Sequence, residues 1–269
     1  MPSFFQQVFS SYYNRLLQFG HSGNTGTPTN VTNIEAGDGV STALGLSDDV
    51  LFVRPQNDDT QTAFGVYTNS GDVVFRVDTL NTKILTGTSG ISVNTQYAYF
   101  GVSSTQGLSA VAGTHYLIPF GNILFSSGSA VAFGTGGDPL TSYDISANDN
   151  GDDIAMCLWY VPDDITVDAV HLLVGGSAAT GDTVNIHLLS FDIDKGAGAG
   201  KGDLSNGVVV AGGDDIASLG YENIIYQTTS PSTADVDAGK VILATFESAG
   251  TNSDYAINMT VKYHIRSSA

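Results

Sequence analysis

Of the 27 acidic residues in this chain only Glu35, Glu222 and Glu247 are glutamates, and lysine and arginine together number nine. Glu, Lys and Arg are the usual fillers of helix surfaces, whereas Asp, Asn, Gly, Ser and Thr belong to turns and strand ends. A chain so short of the first set, with 32 glycines among 269 residues, has little from which to build solvent-facing helices. An all-β fold is expected, arranged at this length as one or two domains.

The stretch FRVDTLNTKILTGTSGISVNT, residues 75–95, shows the pattern: brief apolar and polar alternation, a turn cluster, then alternation again. Just before it, TAFGVYTNSGDVVFRVDT reads as a hairpin with Phe64, Val66, Val73, Phe75 and Val77 on one face and NSGD as the turn. A ribbon of two or three such strands has one thin apolar face and is marginal alone in water. Identical chains can cover that face for one another around a threefold axis. Residues 31–106 are therefore expected to form a β-rich, shaft-like domain of a homotrimer; a small β domain with its own core is the alternative.

GVSSTQGLSAVAGTH, residues 101–115, is small and weakly patterned and reads as a linker. From residue 113 to 269 nine richer segments follow, among them DIAMCLWYVP, ITVDAVHLLVGG, DTVNIHLLSFDI, KVILATFES and YAINMTVKYHIR. Their number and spacing predict an antiparallel β-sandwich knob, jelly-roll-like, able to bury its own core. AMCLWYV, nearly all apolar and carrying the sole tryptophan, Trp159, is expected to be a central strand.

Residues 1–20 stand apart. Phe4, Phe5, Val8, Phe9, Tyr12, Tyr13, Leu16 and Leu17 recur at a spacing of four that lines one face of an amphipathic helix, with Ser3 and Gln6 as a capping box and Gly20 as the stop. Burying each of these residues gains about 1.5–3 kcal/mol relative to leaving it in water, so something must cover the stripe. Either the chain's own β domain does so, or the helix anchors to a partner; the linker at 21–30, within GHSGNTGTPTN, gives it the reach for the second.

The net charge of −18 argues against nucleic acid, whose binding rests on neutralising phosphates with basic side chains. No run of about 18 apolar residues predicts a membrane span, and no basic n-region followed by an apolar stretch predicts a secretory signal. Cys157 is the only cysteine, so no intrachain disulfide is expected.

RLLQFG followed by IEAGDGVSTALGLSDD, the segment VVFRVDTLNTKILTG, and ITVDAVHLLVGGSAATGDTVNIHLLSFDID with DAGKVILATFESAGTNSDYAINMTVKYHIR together resemble virion structural proteins of tailed bacteriophages, those of marine phages in particular. The resemblance spans most of the chain and lies in its phrasing, without a catalytic signature. It implies a many-copy particle component, commonly trimeric, displayed on head or tail, and it carries no functional residues over to this sequence.

Catalytic motifs are thin. GHSG at 20–23 and GTSG at 87–90 lack the strand-turn-helix setting that aims a nucleophile. GAGAGKGD at 196–203 has no helix after it to face a phosphate. His171 and His187 sit in similar contexts and would share a face if their strands paired, yet no third metal ligand follows at fixed spacing. Cys157 between Met156 and Leu158 reads as an inert buried thiol.

Calcium is the one cofactor left open. DIDKGAGAGKGD places Asp192, Asp194 and Asp203 at positions one, three and twelve of a loop, which suits a hard cation; Ala197 where glycine is wanted and Asp in place of a bidentate Glu speak against it. NDNGDD at 148–153 is a second acidic cluster. The expectation is a non-enzymatic virion protein made in the host cytoplasm: a homotrimeric fibre or spike anchored by its N-terminus to other virion proteins. Its knob attaches to a host-surface glycan or protein through loop Tyr and Phe residues. A capsid decoration protein, a carbohydrate-active spike enzyme and a lectin-like module are the alternatives.

Overall fold

The computed structural model describes residues 17–19, 30, 32–36, 41–47, 49–55, 57–103, 108–109, 111–121, 123–124, 131–148, 150–176, 183–217, 223–249 and 254–266. Strands dominate them, and the chain divides into two units, Met1–Val93 and Asn94–Ala269. The helix expected to carry Phe4, Phe5, Val8, Phe9, Tyr12, Tyr13 and Leu16 lies outside the described residues, as does almost all of the linker after it. Leu17, the last member of that stripe, is in a strand.

The first unit contains two four-stranded antiparallel sheets. One comprises β1 (Leu17–Phe19), β2 (Thr32–Ala36), β3 (Ser41–Leu46) and β4 (Leu51–Val53); the other comprises β5 (Phe64–Tyr67), β6 (Val73–Asp78), β7 (Lys83–Thr86) and β8 (Ile91–Ser92). In both, each strand pairs with the next along the chain, as short strands joined by tight turns must. The NSGD turn closes with Gly71 at φ 90° and with Asp72 N–H donating to Thr68 Oγ1, while Ser70 Oγ donates to Asp72 Oδ2 at 2.8 Å. The register places Phe64 opposite Val77, Val77 opposite Ile84, and Val66 opposite Phe75, so the apolar row predicted by alternation exists. Phe64, Val66 and Ile84 on this row are 45%, 46% and 43% exposed, and Leu85 is the only apolar side chain among this unit's described residues that is fully buried.

The boundary between units falls at 93/94 rather than near 106. β9 (Thr95–Ser103) pairs along almost its whole length with β22 (Asp254–Ile265), from Thr95 opposite His264 to Val102 opposite Ile257. Asn94 Nδ2 adds a bond to Ile265 O at 2.6 Å. The segment expected to end the first unit thus opens the second.

The second unit continues with β10 (Leu108–Ser109), β11 (Thr114–Ile118), β12 (Ile123–Leu124), β13 (Ala132–Thr135), β14 (Trp159–Tyr160), β15 (Ile165–Gly176), β16 (Thr183–Ile193), β17 (Leu204–Gly212), β18 (Ile216–Ala217), β19 (Asn223–Thr229), β20 (Asp235–Val236) and β21 (Val241–Ser248). They form two sheets ordered β12-β9-β22-β15-β19 and β13-β11-β21-β16-β17, with the shortest strands on their flanks. All pairs are antiparallel except β12 with β9. Eight long strands pair as mirror halves of the chain: β9 with β22, β11 with β21, β15 with β19, and β16 with β17. One antiparallel ribbon is thus folded over so that two of its pairs lie in each sheet.

Alternation along the strands supplies the core. Val170, Leu172 and Val174 of β15 with Ile257, Met259 and Val261 of β22 meet Ile186 and Leu188 of β16 and Ile242, Ala244 and Phe246 of β21. The other face of the second sheet is covered too. Leu117, Leu189, Phe191 and Leu243 pack beneath Val131, Phe133, Tyr143, Ile154 and Cys157, so β16 and β21 are buried on both faces and read as near-continuous apolar runs.

This covering segment corrects the expectation for AMCLWYV. Gly151–Ala155 is a short helix, with Ile154 and Cys157 buried, and only Trp159–Tyr160 is strand, paired with Ile242 and Val241. Ile154 and Cys157 are three residues apart, so one helical turn turns both toward the core beneath, and Asp152 and Asp153 in its first turn favour the local dipole. Trp159 stacks on Phe120, ring centroids 6.0 Å apart, and lies against Tyr263.

Candidate binding face

Strand alternation that turns Ala98, Phe100, Leu172 and Met259 inward turns the intervening residues outward. On the outer face of β9-β22-β15-β19 the register draws a straight row, Tyr99–Thr260–His171–Thr228. The next row is Gly101–Asn258–Leu173–Tyr226, followed by Ala256–Gly175–Ile224; on the other side Tyr97 stands opposite Lys262. Ile224 is 77% and Tyr226 64% exposed, and Tyr97, Tyr99 and Leu173 are exposed as well.

Hydrogen bonds set part of this surface. The Tyr226 hydroxyl lies 2.6 Å from Thr228 Oγ1, and His171 Nδ1 lies 3.0 Å from the same oxygen. These rows contain no carboxylate, although the chain carries 27 acidic residues; their cations are Lys262 and, when protonated, His171. Tyrosines with an apolar ring and a polar tip, beside Thr, Asn and His donors and acceptors, suit a partner that is flat, uncharged and rich in hydroxyls.

The exposed tyrosines of this face stand on strands. Their signal in the sequence is the run QYAYF, in which Tyr97 and Tyr99 alternate with the inward Ala98 and Phe100. Tyr226 gives no such signal, because IIYQT reads equally well with either face inward.

The remaining candidates are dispersed. Asp192 Oδ1 takes a 2.6 Å bond from Lys240 Nζ and its Oδ2 a bond from Asn206 Nδ2; these two donors, Lys240 first, hold its carboxyl below the usual range. Asp194 Oδ1 accepts Gly196 N–H and Asp203 Oδ1 accepts Ile145 N–H, so both carboxylates shape the hairpin loop between β16 and β17. No group of three or more metal-ligating side chains is assembled among the described residues. In NDNGDD, Asp152 and Asp153 belong to the short helix.

His171 and His187 do not share a face, because β15 and β16 run in different sheets; the neighbour of His187 is His115. His264 Nδ1 lies 3.1 and 3.0 Å from the two oxygens of Asp168. Thr95 stands opposite His264, and its buried hydroxyl has no hydrogen-bond partner among the described residues. Cys157 is fully buried, and burial followed by the charge of Asp153 pushes its thiol up to about 12. No helix among the described residues is long and apolar enough to cross a membrane.

No protein-family model matches the sequence, and no curated protein matches it either.

Proposed function

We propose that the chain is a virion structural protein of a tailed phage, a homotrimeric fibre or spike held to the particle by its N-terminal segment, whose C-terminal unit attaches to a host-surface glycan. The observation that carries this reading is the contrast between the units: the second buries two apolar clusters of its own, whereas the first leaves the row of Phe64, Val66 and Ile84 half open to water. A unit whose described residues leave such a row uncovered is suited to copies that share a cover. The strand order of the second unit, two sheets of four mirror-paired strands, supports naming it a jelly roll.

Attachment then works by avidity, in which weak contacts at the Tyr97, Tyr99 and Tyr226 face add through high local concentration. Binding, not bond cleavage, is the activity proposed. The experiment is the molar mass of the purified chain by light scattering at low salt, and again at high salt with calcium, followed by competition of the purified protein with particles for host cells. A mass near three chains with blocked adsorption supports the reading. A monomer sinks the shared shaft, and particles that lack the protein, adsorb normally and burst on heating favour capsid decoration instead.

A further inference from the structure

The outer face of the sheet β13-β11-β21-β16-β17 changes character along its length. Where Leu117, Leu189 and Leu243 end, the same alternation on β11, β16 and β21 brings His115, Asn185, His187, Thr245 and Glu247 to that face. His115 and Thr245 are 0% exposed and His187 2%. The two imidazoles meet edge to face, ring centroids 5.3 Å apart and planes at 73°.

His115 Nε2 lies 3.0 Å from Gly136 O. A carbonyl only accepts, so Nε2 carries the proton, and Nδ1 is a bare lone pair with no partner. His187 Nδ1, Thr245 Oγ1 and Asn185 Oδ1 also lack partners. Half of the eight such buried atoms among the described residues therefore lie in this one patch.

Two backbone segments close over the rings. Residues 135–138 are held through Gly136, whose O meets His115 and whose N–H donates to Gly113 O, and residues 212–215 through Gly213 N–H, which donates to Ile186 O, and through Asp215, which accepts a 3.1 Å bond from Asn185 Nδ2. Asp138 is the charged group whose field acts on both rings; Glu247 shares their face of the sheet, and Asp215 acts on Glu247.

We propose that the His115–His187 cluster is an acid-sensitive latch: with both rings neutral it fastens segments 135–138 and 212–215 to the sheet, and protonation releases them. An imidazolium needs acceptors at both nitrogens and solvation of its charge, and two cations this close repel each other. Burial lowers the basicity of both rings, and His115 lowers that of His187 further; the Gly136 carbonyl and then Asp138 oppose this at His115, and Asp138 at His187, without reversing it. Because the folded rings hold protons less readily than free imidazole, the latch is at full strength above about pH 6.5 and weakens as pH falls below it. Glu247 has the opposite sign: burial pushes its carboxyl up, so its neutralisation in acid favours the fold and is not the source of opening.

The test is hydrogen exchange followed by mass spectrometry on the full chain at about pH 8 and pH 5, corrected for intrinsic exchange. Opening of peptides covering 135–138 and 212–215 should rise about tenfold or more in acid while peptides of β22 stay protected, and His115→Gln with His187→Gln should flatten the difference. Equal opening at both pH values, or an undiminished rise in the double variant, overturns the latch. If that variant does not fold, titration of the imidazole signals by NMR in the unaltered chain decides: two rings with midpoints below that of free imidazole that change together with the opening support it, and ordinary midpoints without opening overturn it.

Discussion

Gly212 lies so close to the carbonyl oxygen of Ile186 that a β-carbon on it would overlap that atom, and it would also come within 2.7 Å of His187 Cα. Its φ of 128° is in a region that side chains rarely adopt. Gly212→Ala should therefore destabilise the second unit by at least about 2 kcal/mol. Denaturant unfolding followed by the fluorescence of Trp159 measures this, and an unchanged midpoint would show that the strand end yields freely.

Phe64 and Ile84 flank Val77 on the open row of the first unit. If copies share that row, a carboxylate introduced there by Phe64→Asp or Ile84→Asp has to be buried between them, which costs several kcal/mol. The mass by light scattering should fall from near three times 28.0 kDa to that of one chain, with circular dichroism unchanged. A trimer that survives both substitutions is built on some other surface.

Tyr226 and Tyr99 are exposed on a preformed sheet, so truncating them removes contact area without opening a cavity. Tyr226→Ala and Tyr99→Ala should alter stability by no more than about 0.5 kcal/mol. Each should nevertheless abolish competition for host cells if the face binds them. Full competition by both variants would clear these tyrosines of any role.

Cys157 should resist alkylation in the folded protein. Its thiol is fully buried and its ionisation is pushed up to about 12, so little thiolate exists at neutral pH. Reaction with a thiol reagent should follow the unfolding curve in denaturant; fast reaction in native buffer would mean that the covering helix opens on its own.

Lys240→Met tests the acidic hairpin. The ion pair with Asp192 is partly exposed, so its loss should cost no more than about 1 kcal/mol. The Asp192 carboxyl is held below the usual range, so this contribution is present above the ordinary carboxylate pKa and is lost as pH falls through the lowered one. Calcium should leave the melting temperature of the unaltered chain where it is, since Asp192 is occupied by Lys240 and Asn206; a clear upward shift would reveal a rearranged site.

The β class and the hairpin registers were legible because two-residue alternation is local: Phe64, Val77 and Ile84 can be aligned without knowing anything beyond the turns between them. The strand status of residues 95–103 was not, because its partner β22 lies some 160 residues away and nothing nearby distinguishes a shaft strand from a sandwich strand. AMCLWYV misled for a related reason. A short apolar run fits a strand or a helical turn equally well, and the choice is made by the hydrophobic surface under Ile154 and Cys157. The His115–His187 pair joins strands that are far apart in sequence and adjacent to β21 on either side, which no spacing rule signals.

Asn94 and Ile265, joined by a hydrogen bond, mark the two ends of the second unit and put them side by side. A body whose ends coincide can be lifted out of one chain and set into another without stretching either host, because the loop that closes it is short. Recombination could therefore trade this part among unrelated scaffolds as a single cassette.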